Sequence, residues 1–194
     1  MSIKIHFYLF LVISYMFYIG ELEMFLIFYF SVLLHEIAHI VVALILKVNV
    51  TELLLMPGGV CAVYNENIKP LKEIIISIAG PLMSLIISIF SKDVLISNIN
   101  LSIMALNLLP IYPLDGGRIQ KNFFVLKYKY NKGIKISQIV SDFFIVIIFI
   151  FSVFLIVYFK NFYLLFACFY IYTLSRKEMK KERILRLINY LQTD

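Results

Sequence analysis

Long apolar runs alternate along this chain with short polar interruptions, and the length of each run limits what it can be. A helix that crosses the hydrocarbon core of a bilayer needs about 20 mostly apolar residues, within a range of about 17 to 25. Six segments approach that length: Ile3 to Gly20, Met24 to Leu46, Ile74 to Phe90, Val94 to about Leu109, Ile136 to Phe159, and the shorter Phe162 to Leu174. The first is followed by Gly20-Glu21 and lacks a small-x-small cleavage site, so it reads as a retained span rather than a signal peptide. Between the second and third runs, two β-prone apolar stretches flank Pro57-Gly58-Gly59 within residues 53–63. That pattern predicts a β-hairpin, too short to cross as a helix and suited to dip into a cavity of the protein itself, with an ordinary cytoplasmic turn as the plainer alternative. Residues 118–135 read as a basic linker. Residues 175–194 read as a charged amphipathic helix with Ile184, Leu187, Ile188 and Leu191 in one stripe. The expectation is an all-α membrane protein of about six transmembrane helices with one short membrane-dipping β-hairpin.

Composition supports this. The 194 residues are 62% hydrophobic and only 15% charged, and the mean hydropathy is +0.92. A soluble domain of this size could not hide so much apolar surface. The net charge of +6 would suggest nucleic acid in a soluble protein. Here the basic residues segregate between the runs instead. With the N-terminus in the cytoplasm, 16 of the 18 Lys and Arg residues fall inside and only Lys92 and Lys160 fall outside. Cytoplasmic loops of membrane proteins carry such an excess. Both termini are therefore expected in the cytoplasm, with the bilayer and not nucleic acid as the surrounding partner. Cys61 and Cys168 lie far apart in apolar contexts and imply no structural disulfide. The domain reading is one membrane domain over 1–174 and a basic cytoplasmic tail over 175–194.

Ionisable side chains inside a span are costly and each needs a reason. The second run holds His35-Glu36-Ile37-Ala38-His39. Residues four apart share one helical face, so both imidazoles can meet one ion. Glu36 projects about 100° round the helix from His35 and can reach a water beside that ion without binding the ion itself. This is the H-E-x-x-H arrangement of zinc peptidases, and imidazole is a good zinc ligand. The plainer alternative is a buried polar patch that joins helices. A catalytic zinc commonly takes three protein ligands, and Asp115 is the best third candidate. It sits in Pro113-Leu114-Asp115-Gly116-Gly117, where prolines and glycines suit an irregular backbone at the inner end of the fourth run. Alone, Asp115 would read as a turn former. Asn107, shortly before Pro110, is a candidate donor to substrate, with a helix–helix hydrogen bond as the alternative. Two rival functions remain at this point: a membrane metal transporter or sensor, and a non-catalytic membrane scaffold.

The chain resembles the site-2 protease family of intramembrane zinc proteases. His35-Glu36-Ile37-Ala38-His39 matches its metal motif, and Leu114-Asp115-Gly116 matches its third-ligand motif. Ser77-Ile78-Ala79-Gly80-Pro81-Leu82 resembles the Gly-Pro segment of its next core helix, and Pro57-Gly58-Gly59 resembles its hairpin. The likeness covers residues 24–118. It implies a three-helix catalytic core with a Zn2+ site, cleavage of a membrane-associated protein substrate in regulated proteolysis, and regulatory membrane partners. The six-span layout is similar to the bacterial branch that processes a sporulation pro-sigma factor, which implies a bacterial cell membrane and such a factor as substrate. Members of that branch often carry a C-terminal nucleotide-sensing domain, whereas here a short basic helix follows the last run.

Overall fold

The computed structural model describes residues 2–5, 7–56, 59–64, 68–128, 130–160 and 162–191. They fall into two compact units, residues 1–107 and 108–194.

The first unit contains β1 (Ser2–Ile5), α1 (Tyr8–Ile19), α2 (Leu22–Ile45), β2 (Val50–Met56), β3 (Gly59–Tyr64), α3 (Pro70–Phe90) and α4 (Val94–Asn107). Helix α1 stops at Gly20, whose φ of 80° lets the following Glu21 N–H turn back to the Met16 carbonyl at 3.0 Å. Pro70 opens α3, where a missing N–H costs nothing. Asp93 starts α4 by accepting from the Leu95 N–H at 2.7 Å. The Lys72 ammonium donates to the Leu46 carbonyl just past the end of α2 (2.7 Å), which ties α3 to α2. Helix α3 packs against both α2 and α4, and α4 also reaches α2.

Strands β2 and β3 pair antiparallel, with Leu54 opposite Cys61 and Met56 opposite Gly59. The expected turn residues Pro57 and Gly58 lie outside the described residues. The sheet has a third member that the apolar-run reading did not anticipate. Strand β1 pairs parallel with β2, Ile3 opposite Leu53. The first helix consequently begins at Tyr8 rather than Ile3. The reason is visible in Ser2-Ile3-Lys4-Ile5, whose period-two alternation suits a strand.

The second unit contains α5 (Asp115–Tyr128), α6 (Tyr130–Phe159) and α7 (Tyr163–Leu191). The segment read as a basic linker over 118–135 is instead most of α5 and the first turns of α6. Its charges sit on a helix that buries Gly116, Gly117, Lys121 and Asn122, and the Lys121 ammonium lies 5.1 Å from the centre of the Tyr112 ring. Ile111, Ile145 and Cys168 form one core cluster, and Tyr112, Ile134 and Met179 another. Ser141 Oγ accepts from the Tyr112 N–H (3.2 Å) and anchors the 108–114 turn on α6. Arg176 and Asp142 join α7 to α6 at 3.1 Å. Helix α7 runs without a break through residues 174 and 175, so the last apolar run and the tail are one helix to Leu191.

Among the described residues, three helices are long and apolar enough to cross a membrane by length and composition: Leu22–Ile45, Pro70–Phe90 and Tyr130–Tyr158. Leu9–Ile19 and Val94–Asn107 are apolar but shorter. Large apolar side chains such as Phe143, Ile147, Phe151 and Phe154 face outward along α6, as expected of a surface solvated by lipid rather than water.

Candidate metal centre

Helix α2 places Ser31, His35 and His39 at intervals of four, and all three are buried. Glu36 lies between the histidines and is half-buried. The two rings stand 4.9 Å apart between centroids at 79° to one another.

Helix α3 fixes both rings from outside. The His39 Nδ1–H donates to the Ile76 carbonyl at 2.7 Å. His35 Nδ1 and Ser84 Oγ lie 2.9 Å apart in a buried hydrogen bond. With Nδ1 engaged on each ring, Nε2 is the nitrogen left to act as a ligand. Partners of this kind hold the tautomer and orientation of metal-binding histidines.

The sequence of α3 explains how it can do this. A Cβ on Gly80 would overlap both His39 Nε2 and His35 Nε2. Glycine therefore gives the imidazole tips their room. Pro81 lies inside the helix and has no N–H to offer the carbonyl four residues back, that of Ser77. The ladder is thus interrupted at Ser77, next to Ile76, whose carbonyl accepts from the His39 Nδ1–H. Ser77, Gly80 and Ser84 recur at spacings of three and four, and all are buried. This small-residue stripe lets α3 approach α2 closely. Ser84 and the Ile76 carbonyl escaped the reading of motifs. The spacing of Ser84 four residues after Gly80 was the available signal.

Asp115 belongs to the second unit. It is the first residue of α5 and is 6% exposed. A carboxylate there gains from the positive end of the helix dipole. The turn before it is closed by Leu114 N–H to Ile111 and Arg118 N–H to Leu114, each 2.9 Å. A Cβ on Gly116 would overlap the Leu108 carbonyl, and one on Gly117 would overlap the backbone at Ile111 and Tyr112. The two glycines thus allow the start of α5 to lie directly on the preceding turn, which fixes where Asp115 emerges. The acid expected in irregular backbone is in fact at a helix N-terminus, and only the 108–114 segment before it is irregular.

Asn107, the last residue of α4, donates from Nδ2 to the Ile103 carbonyl one turn back (3.1 Å). Gly59 opens β3. Pro57 and Gly58, the other expected substrate-binding residues, are outside the described residues.

The profile of peptidase family M50 matches residues 23–98. A zinc metalloprotease of Methanocaldococcus jannaschii is 36% identical over 130 residues, 59% of this chain and 38% of that protein. Stage IV sporulation protein FB of Bacillus subtilis is 29% identical over 151 residues, 71% of this chain and 52% of that protein. This chain thus spans about half or less of the length of these curated relatives. Among solved structures, the site-2 protease from Methanocaldococcus jannaschii matches with a TM-score of 0.67 at 28% identity, covering 91% of this chain and 90% of that one.

Proposed function

We propose that this chain, whose residues 23–98 match the profile of peptidase family M50 and whose fold resembles that of a solved site-2 protease, is an intramembrane zinc metalloendopeptidase, with Glu36 as the general base. The observation that carries this reading is the pair of imidazoles with both Nδ1 atoms tethered and both Nε2 atoms at Gly80, inside an apolar helix. The donor chemistry fits zinc: His35 and His39 are buried imidazoles, Asp115 is a buried carboxylate of the second unit, and three such donors are the number of protein ligands usual at a catalytic zinc. In this reading Asp115 is the third ligand.

A bound zinc ion would supply Lewis acidity towards a scissile carbonyl and a nearby water. The chain's own residues do the rest. Glu36 takes a proton from the attacking water and returns it to the leaving amine, a role suited to a carboxylate beside the ligands but outside the ligand set. The tethers on Nδ1 keep the ligand geometry fixed while the substrate changes charge. Asn107 carries a second Nδ2 hydrogen that can be offered to a substrate carbonyl. A transmembrane helix must partly unwind before its peptide bond is open to attack. Strand β3 lies at the edge of its sheet, and an unwound segment can add to such an edge, with Pro57, Gly58 and Gly59 as the proposed substrate-binding residues.

The substrate class is a transmembrane or membrane-associated protein cut in regulated proteolysis. The likeness to a stage IV sporulation protein makes a sporulation pro-sigma factor the first substrate to try. The same reading places about six crossings in a bacterial cell membrane, both termini in the cytoplasm, the hairpin dipping into the membrane domain of 1–174, and the basic tail of 175–194 on the inner face. Regulatory membrane proteins complete the expected partners.

The deciding assay uses purified protein, zinc and a membrane-embedded candidate substrate. Glu36→Gln is expected to keep its zinc and lose cleavage by at least about 100-fold. Cleavage by Glu36→Gln at the unaltered rate would overturn the mechanism. Zinc flux into liposomes that disappears in His39→Ala would favour a transporter instead.

A further inference from the structure

Helix α2 is held at three successive turns. His39 is tied to Ile76 and His35 to Ser84, both on α3. Ser31, one turn earlier on the same face, is tied to α4: the Asn100 Nδ2 donates to Ser31 Oγ at 3.0 Å and to the Ile96 carbonyl at 2.9 Å. Asn100 is 0% exposed, and its Oδ1 is buried with no hydrogen-bond partner among the described residues.

The Asn100 Oδ1 is left unsatisfied among the described residues, a cost that replacing Asn100 and Ser31 together by apolar side chains of similar size would remove, so stability alone does not account for this polar pair. Hydrogen bonds between helices inside a bilayer stabilise only modestly. The better attested use of an isolated buried polar pair is to fix register.

Register matters at this point of α2. A rotation of the helix by about 20° would carry atoms about 6 Å from its axis through about 2 Å. Metal–ligand distances tolerate only about 0.2 Å. The bonds to Ser84 and Ile76 act at the ring nitrogens, beyond two side-chain torsions, and so orient the rings more than the helix. Ser31 Oγ sits one bond from Cβ, so a bond to it restrains the helix backbone directly.

The geometry points to Asn100 as a positioning residue: through Ser31 it sets the rotation of α2 and with it the direction of the His35 and His39 Nε2 atoms. This rests on the metal reading above and adds a residue outside the ligand set to it.

The test compares the full-length protein with Asn100→Leu, Ser31→Ala and the exchange Ser31→Asn/Asn100→Ser. Two readouts are taken: histidine ring 15N resonances of the metal-free protein, and the affinity and visible absorption of added Co2+. Asn100→Leu is expected to move the ring resonances of both histidines and to weaken Co2+ binding roughly tenfold, with the exchange restoring both. Unchanged resonances and affinity in Asn100→Leu overturn the proposal, as does an exchange that restores nothing. If Asn100→Leu fails to fold, Ser31→Ala is read against the same two criteria. Shifted resonances in a protein whose unaltered form binds no Co2+ would sink the metal reading while leaving the positioning role intact.

Discussion

The imidazole tips of His35 and His39 occupy the space a Cβ on Gly80 would need. The rings cannot simply swing aside, since each is held at Nδ1. Gly80→Ala is therefore expected to leave the protein folded yet lower zinc affinity by at least about tenfold, measured by competition with a chromophoric chelator. Ser84→Ala removes a partner without adding bulk. It should weaken zinc by about 10-fold or more while His39, anchored on a backbone carbonyl, keeps its ring orientation. The sequence marked Gly80-Pro81 only as resembling the Gly-Pro segment of a core helix. It did not show which atoms approach, because a helix's own periodicity reveals its faces but not their neighbours.

The elements around the site were legible to different degrees. Helices α2 and α3 announced themselves by long apolar runs, and the spacing of His35 and His39 placed both on one face. Helix α5 did not, because its basic residues look like a solvated linker until Gly116 and Gly117 are seen lying on the 108–112 turn. Gly117→Ala would force Cβ into that backbone. The expected cost is about 1–3 kcal/mol, as for other overpacked sites, seen as a lower midpoint in detergent unfolding. On the proposal that Asp115 is the third ligand, zinc affinity should fall in the same variant. Strand β1 was absorbed into an apparent span because apolar content outweighed its alternation, and its partner β2 lies some fifty residues away.

At the scale of the molecule, the basic residues give a topology that labelling can test. In a background with Cys61 and Cys168 replaced by serine, Lys92→Cys is expected to react with an impermeant thiol reagent in intact cells. Lys127→Cys should react only after permeabilisation. Equal labelling of both would overturn the orientation. Removal of metal by a chelator should abolish cleavage, and zinc should restore it.

The sequence by itself determined the solvent, the long apolar helices and the chemistry of the donors: two imidazoles on one helical face, a carboxylate between them, and a second acid in a glycine-rich segment. These are local properties, set by side-chain type and by periods of two or 3.6 residues. Only the tertiary structure decided what holds the imidazoles. The Ile76 carbonyl, Ser84 Oγ and the Ser31–Asn100 pair come from residues 37 to 69 positions away, and contacts at that separation depend on how helices rotate and pack, which no local pattern records.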